Sequence, residues 1–240
     1  MEQAINEFLK FMRSDQKYLL DLGTGNGYPA SRLLAKRPEL RLSLLDCSDN
    51  MLLAAKKILA TIAPDNVPTT IRGDLNNLKF RPDSFDIIIS CCTLQFVRNI
   101  KVFLCALRSV VRPYGKLFFA FNDRDDLKMQ LIHQLFPGFN AIEQARHCTL
   151  KELVNLLQIC GFSVVHQRRL PYSLFFPTRS SFVEFVASKP FSGFAFMNEK
   201  SFQKGFDVFR QTVSEKLPKQ NIVSKGRLSF VIAEKLVCGR

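Results

Sequence analysis

Short apolar runs alternate with amphipathic stretches along the first half of this chain. Strands of a parallel sheet are buried on both faces and therefore read as near-continuous apolar runs. The predicted strands are 18–22, 41–46, 67–72, 85–90 and 115–121, with helices near 29–36, 49–62 and 99–110. This order predicts an α/β fold whose mostly parallel sheet carries helices on both faces.

The alternation loosens after residue 121. A helical pattern covers 127–136, and the stretch TLKELVNLLQICGF (149–162) predicts a helix that leads into a strand at 162–168. A last apolar run at 228–237 predicts the final strand. More than fifty residues separate the last two strands, too many for a loop, so they predict a cap. We expect a single domain, with a core of 17–121, 149–169 and 227–238 and cap elements at 122–148 and 170–226.

Composition fits a folded protein with an unusual charge. Apolar residues form 47% of the 240 positions and charged residues 23%, which is typical of a globular chain. The formal net charge is +13, and residues 161–240 alone hold 13 Lys and Arg against 5 Asp and Glu. Such a surplus is either a basic solvated surface or a surface for an acidic partner, which leaves nucleic acid, an anionic membrane and an acidic protein open.

The seven cysteines predict free thiols rather than disulfides or a metal site. They form an odd set with no C-x-x-C pair and no metal-ligand spacing, which fits a reducing compartment. The first residues, MEQAINEFLKFMRSDQ, lack the apolar segment of a signal peptide, and no run has the length of a membrane span. We therefore expect a cytoplasmic protein without a bound metal and without a membrane partner.

The stretch LLDLGTGNGYPA (19–30) is the first candidate for chemistry. A strand ending in an acid runs through glycines at 23, 25 and 27 into a helix, which predicts a tight turn that a nucleotide-like ligand approaches closely. A dinucleotide loop would place its third glycine where Tyr28 lies. Asp21 would repel a pyrophosphate, whereas it suits the cationic amino group of an amino acid.

Two further acids follow predicted strands. Asp46 ends the second strand, where a carboxylate accepts hydrogen bonds from ribose hydroxyls, and Asp74 follows the third, where it suits an exocyclic adenine amine. Each acid alone is equally a solvated loop residue or a helix cap. Three acids at the carboxyl ends of strands in one sheet predict a single ligand.

These motifs together resemble the class I S-adenosylmethionine-dependent methyltransferases. The resemblance covers residues 18–121 and consists of the D-x-G-x-G-x-G loop (21–27), DCSDNML (46–52), GDL (73–75), FDIIIS (85–90) and VVRPYGKLFFAF (110–121). It implies a Rossmann-like class I methyltransferase fold with a seven-stranded, mostly parallel sheet and a helical cap insertion. It also implies S-adenosylmethionine as the cofactor.

The resemblance assigns roles to individual residues. It implies that Asp21 holds the methionine amino group, Asp46 the ribose, and Asp74 with Leu75 the adenine, on which Met51 packs. The other cofactor-binding residues that it implies are Gly23, Thr24, Gly25, Gly27, Cys47 and Ser90.

Later segments are similar to the malonyl-acyl-carrier-protein O-methyltransferases of biotin synthesis. The similar segments are CCTLQFVRNIKVFLCALRSVVRPYGKLFFAF (91–121), ARHCTLKELVNLLQICGF (145–162), LPYSLFFPTRSSFVEFVASKPFSGFAF (170–196) and LSFVIAEKLV (228–237). This likeness implies methylation of a malonyl carboxylate, with acidic acyl carrier protein as the partner. It also implies that Arg146 orients the carboxylate, whereas His147 receives no role.

Other acceptors stay open. They are another small-molecule carboxylate or amine and, less favoured, RNA, because the end of the fourth strand (SCCT, 90–93) lacks the N/D-P-P-Y/F motif of base methylases. A cofactor-binding domain without turnover is a third possibility. Only 17 residues precede the first strand, whereas the related enzymes have a longer segment that supplies an aromatic residue to the site. Phe8, Phe11 and Tyr18 are the candidates to replace it.

Overall fold

The computed structural model describes residues 1–236, and its strands form one seven-stranded sheet in the order β3-β2-β1-β4-β5-β7-β6. The strands are β1 (Tyr18–Leu22), β2 (Arg41–Asp46), β3 (Thr69–Arg72), β4 (Phe85–Cys91), β5 (Val111–Phe121), β6 (Phe162–Thr178) and β7 (Gln220–Lys235). Strands β1 to β5 pair in parallel, and β7 runs antiparallel to β5. The predicted mostly parallel sheet is confirmed; Val237 and Cys238, which the prediction included in its core, lie outside the described residues.

The helices fall into groups that pack together. They are α1 (Glu2–Leu9), α2 (Tyr28–Lys36), α3 (Asp49–Ile62), α4 (Ile100–Val110), α5 (Leu131–Leu135), α6 (Phe139–Arg146), α7 (Leu150–Ile159), α8 (Arg179–Ala187) and α9 (Glu199–Lys216). Helix α1 packs on α2, α2 packs on α3, and α4 packs on α7. Short 3₁₀ segments lie at Leu94–Phe96, Arg124–Met129 and Ser192–Phe196.

The burial of β1 inside the sheet explains why the sequence predicts this strand so clearly. Strand β1 lies between β2 and β4, and Leu19, Leu20 and Leu22 are fully buried. In the pairing register, Asp21 lies opposite Leu44 of β2 and Ile89 of β4. The fold therefore places this carboxylate among apolar neighbours near the carboxyl end of an interior strand.

Strand β6 is much longer than predicted. It continues from Phe162 to Thr178, although the sequence prediction ended at 168, before Pro171 and Pro177. Proline removes a backbone donor and so normally ends a strand, but β6 is the edge strand of the sheet, where one side needs no donor. Strand β7 likewise begins at Gln220, so residues 179–219 separate the two strands, fewer than predicted.

The chain divides into two compact units. One contains Met1–Phe121, Leu150–Leu170 and the residues from Ser229; the other contains Asn122–Thr149 and Pro171–Leu228. The second unit has an aromatic core in which the Phe136 ring lies within 6.2 Å of the rings of Phe139, Phe194, Phe202 and Phe209. Two other phenylalanines of this unit, Phe175 and Phe196, are exposed.

The cysteines form no disulfide among the described residues, and the helices there are not of the membrane-spanning kind. The six cysteines among residues 1–236 are all free; Cys91, Cys148 and Cys160 are buried. None of the helices within that range combines the length and the apolar character that crossing a membrane requires.

Candidate active site

A cavity of about 870 Å³ opens where β1, β2, β3 and β4 end. Its walls come from the turns that follow these four strands, which is where ligands bind in open α/β sheets. The lining residues are Met1, Gly23, Thr24, Gly25, Asn26, Tyr28, Pro29, Leu45, Asp46, Cys47, Met51, Gly73, Asp74, Leu75, Asn76, Cys91, Cys92, Thr93, Phe96 and Arg98. The wall combines apolar side chains with two carboxylates, as expected of a site for a polar small molecule.

The loop after β1 adopts a backbone conformation that favours glycine. Gly23, Gly25 and Gly27 have φ angles of +67°, +54° and +79°. At Gly27, which precedes α2, an added Cβ would also lie 2.8 Å from the Cβ of Ala55 in α3. The sequence therefore needs glycine here both for the turn and for the close packing of α2 on α3.

Asp46 is fixed by two backbone N–H groups. Gly25 donates to its Oδ2 and Ser48 donates to its Oδ1, each at 2.9 Å. A carboxylate oxygen has more than one lone pair, so both oxygens retain acceptor capacity toward the cavity. The glycine loop and the end of β2 therefore hold each other in place, with an oriented anion between them.

Asp21 lies beneath the loop and not on the cavity wall. It is 1% exposed, and the Thr24 hydroxyl, which does belong to the wall, donates to its Oδ2 at 2.7 Å. Burial raises the pKa of Asp21 to about 7; the Thr24 hydrogen bond opposes the shift, and the charge of Asp46 adds to it. A cationic group bound nearby would reverse this effect and favour the ionised carboxylate.

Asp74 lies in the turn after β3 and is ionised more readily than usual. The backbone N–H of Asn76 donates to its Oδ1 at 2.9 Å, and the side-chain amide of Asn76 donates to the same oxygen at 2.9 Å. These two bonds lower the pKa of Asp74, with a smaller contribution from the positive charge of Arg98. The carboxylate is therefore an acceptor for a ligand's N–H group.

Most of the predicted cofactor residues meet at this cavity. Those on the wall are Gly23, Thr24, Gly25, Asp46, Cys47, Met51, Asp74 and Leu75. Asp21, Gly27 and Ser90 lie behind it; the Ser90 hydroxyl is buried and bonds the hydroxyl of Thr93, which lies on the wall. Sequence reasoning missed Thr93 and Asn76, which come soon after β4 and β3, and Arg98, which follows the 3₁₀ segment Leu94–Phe96.

Arg146, the candidate for holding a substrate carboxylate, belongs to the second unit and already has a carboxylate partner. Its guanidinium donates to Glu143 Oε1 at 2.5 Å and to the Ser192 hydroxyl at 3.0 Å. It also lies 4.3 Å from the ring centroid of Phe196. The ring of His147 contacts the Glu143 backbone oxygen at 2.8 Å. A substrate carboxylate at Arg146 would therefore compete with Glu143.

The three aromatic candidates from the short N-terminal segment have other contacts. Phe8 is buried and stacks on Phe118 with 4.7 Å between ring centroids, and Phe11 stacks on His166 at 5.0 Å. Tyr18 lies under the guanidinium of Arg112. The aromatic rings on the cavity wall are instead those of Tyr28 and Phe96.

Comparison with known proteins identifies the part of the chain that contains this cavity. Residues 20–119 match the model of a family described as "Methyltransferase domain". Residues 20–119 form a methyltransferase domain. The match includes the last three residues of β1, all of β2 to β4, nearly all of β5 and the turns that line the cavity. The predicted methyltransferase is therefore confirmed.

Curated relatives of the methyltransferase domain carry more than one activity in their names. A malonyl-[acyl-carrier protein] O-methyltransferase of Priestia megaterium is 26% identical over 227 residues, which cover 88% of this chain and 79% of that protein. Another of that name, from Laribacter hongkongensis, is 30% identical over 58% of this chain and 47% of its own length. A ubiquinone/menaquinone biosynthesis C-methyltransferase of Dinoroseobacter shibae is 30% identical over 52% of this chain and 50% of its own length.

Solved structures confirm the class I fold. The YcgJ protein of Bacillus subtilis covers 99% of this chain and is itself covered completely, with a TM-score of 0.65 and 13% identity. A phosphoethanolamine N-methyltransferase of Haemonchus contortus, in complex with S-adenosyl-L-methionine, covers 98% of this chain and is matched over 52% of its length, with a TM-score of 0.60 and 17% identity. The [4+2]-cyclase SpnF has the same fold, with a TM-score of 0.65, 17% identity and coverage of 99% and 82%. The fold alone therefore does not fix the reaction.

Proposed function

We propose that this protein transfers the methyl group of S-adenosylmethionine to the free carboxylate of a malonyl group carried by acyl carrier protein, a step of biotin synthesis. The observation that carries the donor half of the proposal is the cavity at the ends of β1 to β4, with its oriented carboxylates. The acceptor half rests on the Priestia megaterium relative, whose similarity extends over 88% of the chain.

The cavity suits S-adenosylmethionine in shape and in charge. Gly25 has no side chain, and no protein atom lies within 4 Å of the place that a Cβ would occupy, so a ligand can approach the backbone closely there. Asp46 would accept from the ribose hydroxyls, Asp74 from the adenine amine, and Asp21 would attract the amino group. When bound, this cofactor supplies a methyl group on a positively charged sulfur. The protein's part is to orient donor and acceptor and to exclude water.

The proposed acceptor explains why the site needs no catalytic base. A malonyl carboxylate has an ordinary pKa of about 4 and is ionised at neutral pH, so no proton has to be removed before it attacks the methyl carbon. Alignment of the carboxylate with the carbon–sulfur bond then supplies most of the catalysis. Arg146 is our candidate for that alignment, since a guanidinium binds a carboxylate through two N–H groups.

Acyl carrier protein fits the charge of the chain. Carrier proteins are acidic, and the last eighty residues here carry a surplus of eight positive charges. Complementary charge accelerates encounter and orients the partner. The C-methyltransferase relatives support a carbon acceptor as the second candidate, but the one from Dinoroseobacter shibae aligns with only 52% of the chain. We therefore favour the carboxylate acceptor.

An acceptor panel tests the proposal. Methyl-labelled S-adenosylmethionine is incubated with the protein and, separately, malonyl-acyl carrier protein, malonyl-coenzyme A, free malonate, a hydroquinone and RNA. We expect the carrier-bound malonate to be methylated about tenfold faster than the coenzyme A thioester at low salt, an advantage that salt reduces because it screens the basic surface. Label on the hydroquinone or on RNA, with none on either malonyl thioester, would contradict the proposed acceptor.

A further inference from the structure

Asn76 joins the two turns that form one end of the cavity. It follows β3, and its side-chain amide donates both to Asp74 Oδ1 at 2.9 Å and to the backbone oxygen of Phe96 at 3.2 Å. Its own amide oxygen accepts from the backbone N–H of Arg98 at 2.8 Å. Both Phe96 and Arg98 belong to the turn after β4. One amide group therefore connects the turn after β3 with the turn after β4.

The contacts of Asn76 also fix the direction of a carboxylate. Its backbone N–H and its side-chain amide both donate to Oδ1 of Asp74. Two donors on one oxygen restrict rotation of the carboxylate, and none of the hydrogen bonds described for residues 1–236 uses Oδ2, which keeps its acceptor capacity for a ligand. An ionised oxygen is an acceptor without a proton to give. It therefore binds an N–H group and repels another oxygen acceptor.

We infer that Asn76 is a positioning residue that aims Asp74 at the cofactor's base and thereby makes the site select an exocyclic amine over a carbonyl at that place. The inference rests on the proposed function, in which this cavity binds S-adenosylmethionine. Asn76 acts through Asp74, and it also bonds the backbone of Phe96 and Arg98 in the turn after β4. Deleting its side chain removes one of the two donors to Oδ1 and leaves Asp74 charged but held by the backbone N–H of residue 76 alone, so the carboxylate is less restrained and selectivity falls while the fold remains.

The chain offers a matched control in the next residue. Asn77 is also an exposed asparagine of the same turn, but it is not on the cavity wall, and none of the side-chain hydrogen bonds described for residues 1–236 involves it. Asn76→Ala and Asn77→Ala therefore remove the same group from adjacent positions. Asn76→Asp is the second variant: it keeps an oxygen for the Arg98 N–H but loses both side-chain donors and brings a like charge to Asp74.

The experiment compares binding of S-adenosylhomocysteine with binding of its inosine analogue, in which a carbonyl oxygen replaces the exocyclic amine. We expect the wild-type protein to prefer the adenine compound. Asn76→Ala should weaken adenine-compound binding about tenfold, as removal of hydrogen bonds to a charged group does, with little change for the inosine analogue. Asn76→Asp should also reduce the preference, and Asn77→Ala should leave it unchanged, with melting temperatures showing that all variants fold.

The outcomes separate this inference from the proposed function. If Asn76→Ala weakens both compounds by the same factor, or weakens neither, the cavity still binds the cofactor product and only the positioning role is overturned. If Asn76→Asp prefers the adenine compound as strongly as the wild-type protein does, the positioning role is overturned as well. If the wild-type protein binds neither compound, the donor site itself is wrong and the inference fails with it.

Discussion

Asp21→Asn is expected to stabilise the protein at pH 8 and at the same time to weaken S-adenosylmethionine binding at least tenfold. The carboxylate is buried, so its pKa in the folded protein is about 7 against an ordinary value of 3.8. A pKa raised by folding contributes stability that is complete below about pH 4 and is lost as the pH rises through 7. Asparagine has the same shape without the charge, and it still accepts from the Thr24 hydroxyl.

The pH dependence distinguishes this account from a general packing effect. The gain from Asp21→Asn should be small at pH 4 and reach on the order of 4 kcal/mol at pH 8, measured by urea unfolding. The same substitution should weaken S-adenosylmethionine binding while it raises stability, because the proposed partner of Asp21 is a cationic amino group. The exposed carboxylate of Asp65 supplies the control, since Asp65→Asn should alter neither quantity. A variant that loses stability at pH 8, or binds the cofactor as tightly as wild type, would count against the assigned role.

Gly25→Ala is expected to abolish cofactor binding at a modest cost in stability. Gly25 lies on the cavity wall with φ +54°, and an added Cβ would meet no protein atom within 4 Å. The new methyl group therefore takes up space beside the cavity rather than clashing with the protein. We expect about 1 kcal/mol of backbone strain and a loss of at least 100-fold, roughly 3 kcal/mol, in S-adenosylmethionine affinity.

Gly138→Ala is the matched control for this substitution. Gly138 belongs to the second unit, has φ +76° and likewise has open space at its Cβ, so the backbone strain is comparable. Both variants should show a similar fall in melting temperature, and calorimetric titration should show lost binding for Gly25→Ala alone. Equal binding by the two variants would mean that the glycine loop does not contact the cofactor.

The sequence predicted the fold best where burial alone decides the element. Strand β1, strand β2 and helix α3 have the predicted bounds, because buried strands and amphipathic helices leave clear apolar patterns. The prediction was too short for β6, where prolines are tolerated only because the strand lies at the sheet edge. Whether a strand lies at the edge of a sheet depends on the tertiary fold, so the local sequence pattern does not indicate it.

In the candidate site too, the sequence predicted some residues and their roles but not others. Asp46, Asp74 and the glycines were predicted because they follow predicted strands and because their chemistry fits one ligand. The role of Asn76 was not predictable, since its partners Phe96 and Arg98 lie about twenty residues further along the chain. The burial of Asp21 beneath Thr24, which raises the pKa of that carboxyl, likewise required the packed sheet. The acceptor is the least predictable part, because one fold serves many reactions.

The most direct test of the central claim is the intact mass of malonyl-acyl carrier protein after incubation with S-adenosylmethionine and either the wild-type protein or Asp21→Asn. The wild-type protein should add the mass of one methyl group to the malonyl carrier and form an equal amount of S-adenosylhomocysteine. Asp21→Asn should do so at least tenfold more slowly at the same subsaturating cofactor concentration. An unchanged carrier mass, while the wild-type protein binds S-adenosylmethionine, would contradict the account.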